Sequence, residues 1–248
     1  MPSHTRLRYK FIMFIPLGDD NRGRRTTPFV NYALIGLNAY VWYLQLTLGE
    51  NFTASYAAIP LELTQGIDVT ATQSITVEGE RIPIPQGPGP HPLWLTVFSA
   101  MFMHGSWMHL IGNMVYLAIF GDQVEDRLGH ARFLIFYLFA GIVATITQVF
   151  GDPTSIIPSL GASGAIAGVL GAYLVLYPRN NVKVLLIRDI VIVPASLVLG
   201  IWGIFQLLGQ ASTQESQGGV AYLAHIGGFV VGFATGALLR VARPAQRA

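Results

Sequence analysis

Five polar side chains carry the chemistry available to this sequence: His104, His109, Asn113, Ser163 and His225. A serine hydroxyl is a weak nucleophile until a base takes its proton. His225 is the only histidine after residue 130, and a histidine within an apolar span needs a partner. A lone serine in an apolar helix commonly bonds its own backbone or a neighbouring helix instead. His109 and Asn113 stand at i, i+4 and share one helix face. Asn113 always carries an amide donor and neutral His109 can donate one ring N–H. Together they could hold a developing oxyanion, or they could clamp two helices together. His104 lies five residues before His109, a rotation roughly 140° away. It is expected to orient the preceding loop through a hydrogen bond. All 13 Asp and Glu fall outside the long uncharged stretches. A Ser-His-Asp triad therefore lacks its acid, and a Ser-His dyad is the economical arrangement.

The elements that must position these residues follow from composition. The chain has 248 residues, of which 52% are hydrophobic and 11% charged. Soluble domains average about 25% charged, and the mean hydropathy here is +0.50. These values argue against an ordinary soluble enzyme, a disordered chain and a nucleic-acid-binding module. They point to a polytopic membrane protein. No cysteine is present, which excludes a disulfide scaffold, a thiol nucleophile and cysteine-ligated metal.

Six long runs lack Asp, Glu, Lys and Arg: 26–49, 82–121, 133–151, 153–178, 190–214 and 216–239. A bilayer core needs about 20 apolar helical residues, so five runs fit one span each. The second run opens on a Pro- and Gly-rich stretch. It reads as loop, an interfacial segment from about Leu93, and a span from about Gly105 to Phe120. Unpaired backbone in lipid is costly, and runs such as Val191 to Leu208 do not alternate as barrel strands would. The expected fold class is an all-α membrane protein, a bundle of six transmembrane helices. Placing both termini in the cytoplasm leaves every Lys and Arg except Arg81 on the inner side, as the positive-inside rule requires. The expected layout is a cytoplasmic segment 1–28, a bundle 29–240 with an outer loop 49–93, and a tail 241–248. Residues 11–17 read as an interfacial tether. Ser74 to Pro85 reads as a small hairpin turning at Glu78-Gly79.

With that topology the second, fourth and sixth spans all run from outside to inside. His104, His109, Asn113, Ser163 and His225 then lie at similar depth near the outer face, although they are far apart in the chain. Polar groups at such depth are costly and mark function. Gly161, Gly164, Gly168 and Gly171 strip one face of the fourth span. Gly228, Gly232 and Gly236 do the same for the sixth. Faces of small residues let helix backbones approach closely. Packing through them would bring Ser163 and His225 within hydrogen-bond reach.

Three motifs in this order resemble the rhomboid intramembrane serine proteases, in their basic six-helix bacterial form. The second span has His104-Gly-Ser-Trp-Met-His109-Leu-Ile-Gly-Asn113, similar to the family's H-x₄-H-x₃-N. The fourth opens with Gly161-Ala-Ser163-Gly164, similar to G-x-S-G. The sixth has Ala224-His225-Ile-Gly-Gly228-Phe-Val-Val-Gly232, similar to A-H-x-x-G-x-x-x-G. The resemblance covers about Ile15 to Arg240. It implies peptide-bond hydrolysis near the outer membrane face, with Ser163 as nucleophile and His225 as base. It implies an oxyanion hole from His109, Asn113 and the Ser163 amide, and no metal or other cofactor. The implied partners are transmembrane protein substrates and the lipid bilayer, with no nucleic acid. The implied location is a bacterial inner membrane. Two positions depart from the family. The first outer loop has Trp94-Leu95 where many members carry Trp-Arg. Ala167 stands where some members stack an aromatic on the histidine, so another side chain must hold His225.

The alternatives are a silent rhomboid-like binder of membrane clients and a transporter. A transporter would carry polar groups through to the inner face, yet Val169–Leu176 and Gly232–Leu239 are nearly bare of them. No His precedes a Glu, so the zinc motif H-E-x-x-H is missing. The lateral entry route is expected at the fifth span and the following residues, about 208–219.

Overall fold

A computed structural model describes residues 14–77, 79–212 and 221–242. In chain order the elements are strand β1 (Phe14–Asp19), helices α1 (Phe29–Leu48), α2 (Glu50–Tyr56) and α3 (Pro60–Gln65), and strands β2 (Gln73–Val77) and β3 (Glu80–Ile84). After them come α4 (Thr96–Ser99), flanked by single 3₁₀ turns, α5 (Trp107–Leu128), α6 (His130–Gly151) and α7 (Ser163–Leu176). Strands β4 (Asn181–Leu186) and β5 (Asp189–Pro194), then α8 (Ala195–Ser212) and α9 (Tyr222–Ala242), complete the described chain. Helices α6 and α9 are each long and apolar enough to cross a bilayer.

The chain is mostly helical, in line with the expected class, and adds two antiparallel sheets, of which only the hairpin over Ser74 to Pro85 is expected from the sequence. Strands β1, β4 and β5 form one, in the order β1-β4-β5. The expected tether at 11–17 is in part the strand β1, and residues 11–13 lie outside the described residues. The expected fifth run loses its first residues to β5, where Ile190 and Ile192 are exposed and Val191 and Val193 half-buried. Short β-branched stretches either side of the Ile187-Arg188 turn pair with each other. A scan for uncharged length cannot see that pairing. The second sheet is the β2–β3 hairpin, with Val77 opposite Glu80; Glu78 of the expected turn lies outside the described residues.

Two helix ends also differ from the charge-based limits. The fourth run shrinks to the 14 residues of α7. Pro153, Pro158 and Gly161, which has φ 129°, keep the preceding stretch out of the helix. In the opposite sense, α5 continues past Phe120 to Leu128. Its last turns carry Glu125, which is fully buried. The Glu125 carboxylate accepts hydrogen bonds from the backbone N–H of Val30 at 3.0 Å and Asn31 at 2.7 Å. These are first-turn donors of α1, which has no side-chain cap of its own. The His130 imidazole approaches the same carboxylate. Glu125→Ala strands those donors and is expected to lower stability by about 1–3 kcal/mol. Glu125→Gln, which keeps one acceptor, should lose less. Unfolding midpoints in detergent check both.

Helix α7 runs through the middle of the bundle, with Gly164 to Tyr173 all buried. Its glycine face meets that of α9. An added Cβ at Gly228 would overlap the Gly164 carbonyl oxygen, and one at Gly232 the Gly168 carbonyl oxygen. Gly164 is also pressed from α6, where its Cβ would lie 2.6 Å from that of Ala144. Around α7 the core fills with Leu117, Phe120, Phe133, Tyr137, Val182 and Val184. The segment between α1 and α5 ties down the chain that leads into α7. Ala58 and Ser159 exchange backbone hydrogen bonds of 2.9 and 2.8 Å, and Gly161 N–H donates to the Ala100 carbonyl at 2.8 Å.

Candidate active site

Ser163 is the first residue of α7, and His225 stands in the first turn of α9. The close α7–α9 crossing brings them together: Ser163 Oγ lies 2.8 Å from His225 Nε2. The start of α9 is itself held by α6, since Gln148 Oε1 accepts from Ala224 N–H at 3.2 Å. His225 is 9% exposed, so its two ring nitrogens must find partners within the protein.

Helix α5 supplies the other wall. Its N-cap Ser106 accepts from His109 N–H at 3.1 Å. This starts the helix where the His109 ring reaches Gly161. A Cβ on Gly161 would sit 2.7 Å from His109 Cε1 and 2.8 Å from Nε2. That crowding, with the positive φ, explains a glycine two residues before the serine. Asn113 is one turn further along α5 and 8% exposed. Among the described residues its Nδ2 has no partner. A buried amide donor left open costs about 1–3 kcal/mol, and a transient acceptor would repay it. His109, Asn113, Ser163, His225 and Trp202 line one cavity of about 930 Å³.

His104 sits on the far side of His109, with ring centroids 5.1 Å apart and edge to face. The hydrogen bonds that hold the loop here run through its backbone. Gln45 accepts from His104 N–H at 2.9 Å and donates to His104 C=O at 2.9 Å. Gln45, on α1, shows in the sequence only as a neutral amide near the end of the run 26–49.

The structure also names what the sequence left blank, the support of His225. Trp202 of α8 lies against the imidazole, with centroids 5.9 Å apart. The two rings are tilted by 42°, and Ala167 itself is fully buried. One turn on, Gln206 Oε1 is 2.7 Å from His225 Nδ1. Gln206 could have been noticed as a strong polar group in the middle of the uncharged run 190–214. Trp202 at i−4 on the same helix face was the second signal.

The family model for the Rhomboid domain matches residues 91–242. The chain is 31% identical over 149 residues to Rhomboid-like protein 11, chloroplastic, of Arabidopsis thaliana, covering 57% of this chain and 51% of that protein. It is 34% identical over 149 residues to Rhomboid protease GluP of Bacillus subtilis (strain 168), covering 59% and 26%. It is 30% identical over 160 residues to Rhomboid protein 1, mitochondrial, of Saccharomyces cerevisiae (strain ATCC 204508 / S288c), covering 62% and 44%. The chain thus spans about half or less of the length of these relatives.

Proposed function

The chain belongs to the rhomboid family of integral membrane proteins, and on that footing we propose that it is a serine endopeptidase that cuts transmembrane segments. One observation carries the reading: Ser163 Oγ and His225 Nε2, 62 residues apart in sequence, lie 2.8 Å apart at a cavity wall. In this reading His225 Nε2 takes the Ser163 proton as Oγ attacks the scissile carbonyl. The C–O bond forms, the carbonyl pair moves to oxygen, and the anion sits among the Asn113 amide, His109 and the Ser163 N–H. That N–H is at the start of α7, where free amides carry partial positive charge. Collapse of the intermediate breaks the C–N bond, and His225 returns the proton to the leaving amine. Water then hydrolyses the acyl-enzyme by the same steps.

The reading places six helices across the bilayer, α1, α5, α6, α7, α8 and α9, within a catalytic domain of 29–240. Both termini are cytoplasmic and the dyad faces the outer side, as the distribution of Lys and Arg favours. Substrates are membrane proteins whose helix can unwind near that face.

The test uses proteoliposomes holding the chain and a single-span substrate, with fluorophosphonate labelling alongside. Cleavage and labelling, both lost in Ser163→Ala, support the proposal. A folded wild type that neither cleaves nor labels would leave a client-binding protein. Asn113→Ala addresses the oxyanion role. A lost donor of this kind costs about 10²-fold in kcat, with KM little changed. Unchanged kcat would remove Asn113 from the hole.

A further inference from the structure

We infer that Gln206 is a positioning residue of the dyad: its amide oxygen accepts the His225 Nδ1–H and so fixes the tautomer that leaves Nε2 free to take the Ser163 proton. The inference rests on the protease reading for its consequence, but its geometry stands separately.

The argument begins with the amide itself. Gln206 Nε2 is 3.3 Å from the Trp202 carbonyl oxygen, on its own helix, and that oxygen can only accept. The amide nitrogen therefore faces Trp202, and the amide oxygen faces His225 Nδ1 at 2.7 Å. Turning the amide over would set its oxygen against the Trp202 carbonyl, two acceptors with no proton between them. An amide oxygen cannot donate, so the proton in the Gln206–His225 bond belongs to Nδ1. Neutral imidazole carries one ring proton. With Nδ1 protonated, Nε2 presents a lone pair, and it presents it to Ser163 Oγ at 2.8 Å. The chain of hydrogen bonds thus runs in one direction, from Ser163 O–H to His225 to Gln206 to the α8 backbone. The other tautomer would place N–H against the serine and give the hydroxyl proton nowhere to go. A buried carboxylate performs this orienting task in a Ser-His-Asp triad. Here a neutral amide performs it, and does so without burying a charge.

Helix α8 is built for this. Ile204, Phe205, Leu207 and Leu208 are all more than half exposed, on the outer surface. Trp202 and Gln206, at i, i+4, turn the other way and meet one imidazole. Trp202 packs against the imidazole, and Gln206 fixes its rotation through Nδ1.

The experiment compares Gln206→Leu, which keeps size but has no acceptor, with Gln206→Glu, which keeps an oxygen at the same reach. In proteoliposomes, Gln206→Leu is expected to lower kcat roughly 10- to 100-fold with KM within about twofold. Gln206→Glu is expected to recover most of that loss. Nitrogen-15 histidine spectra read the tautomer directly, with His225 assigned by its disappearance in His225→Ala. Wild type should show a protonated Nδ1 and a bare Nε2, and Gln206→Leu a mixed or reversed population. Wild-type kcat and an unaltered tautomer in Gln206→Leu would overturn the inference. So would a bare Nδ1 in wild type. A loss in Gln206→Leu that Gln206→Glu does not recover, with a lowered unfolding midpoint, would make Gln206 a packing residue and also overturn it. A wild type that neither cleaves nor labels fails the protease reading, while the tautomer spectra still decide the role of Gln206.

Discussion

Ser163→Ala, His225→Ala and the chain carrying both substitutions are expected to cleave at one common residual rate, roughly 10⁴-fold or more below wild type. The expectation comes from the 2.8 Å contact between Ser163 Oγ and His225 Nε2. Without the imidazole the hydroxyl keeps its proton and stays a poor nucleophile. Without the hydroxyl the imidazole has no proton to take. Each substitution removes the same step, so the second costs nothing further. Two independent sites would instead add their free energies, and the double variant would fall far below either single one. Measurement is by single-turnover cleavage in proteoliposomes, with a long enough time base to resolve the floor. Fluorophosphonate labelling should vanish in all three. Additive losses would mean that Ser163 and His225 act in separate roles and would sink the dyad. His109→Ala or Asn113→Ala should leave labelling detectable, because they touch the charge on oxygen rather than the attacking group.

Much of this site was legible because membrane depth restricts what a sequence can contain. A histidine or an asparagine in an apolar run is rare enough to notice, and glycine spacing says which helix faces can meet. That reasoning pointed to Ser163 and His225 across 62 residues, and the two groups do meet. Gln206 is less legible, because in the run 190–214 it is a neutral amide that belongs to no motif. The strands were lost for a different reason. Uncharged length measures hydrophobicity, and β5 is as apolar as a helix. Only its partner β4, whose Val182 and Val184 are buried, reveals it as a strand. The far end of α5 escaped for the converse reason. Glu125 looks like the limit of a span, yet it is fully buried, and the backbone N–H groups of Val30 and Asn31 donate to it. The expected entry route at 208–219 lies largely outside the described residues, since 213–219 are not among them.

Gly232→Ala is expected to cost about 3 kcal/mol or more and to abolish turnover, although residue 232 is seven positions from His225. A Cβ at 232 would overlap the Gly168 carbonyl oxygen and lie 2.6 Å from its carbonyl carbon and 2.8 Å from its Cα. All three are backbone atoms within α7, so no side chain can rotate away. Ordinary overpacking costs about 1–3 kcal/mol because neighbours yield, and here they cannot. The helices must separate instead. Ser163 and His225 stand on the same pair of helices, roughly 10 Å along the axis from the clash. A separation of about 1 Å there would lengthen a 2.8 Å contact past hydrogen-bond range. Stability and catalysis should therefore fail together. Gly36→Ala is the control, since its Cβ meets nothing within 4 Å on α1. It should match or slightly exceed wild type, because alanine favours a helix over glycine by about 1 kcal/mol. Unfolding midpoints in one detergent, with turnover after reconstitution, check both. A Gly232→Ala chain with the wild-type midpoint and rate would mean that α7 and α9 do not cross backbone to backbone. The closeness of Ser163 and His225 would then need another cause, because the crossing is what carries two ends of the sequence to one point.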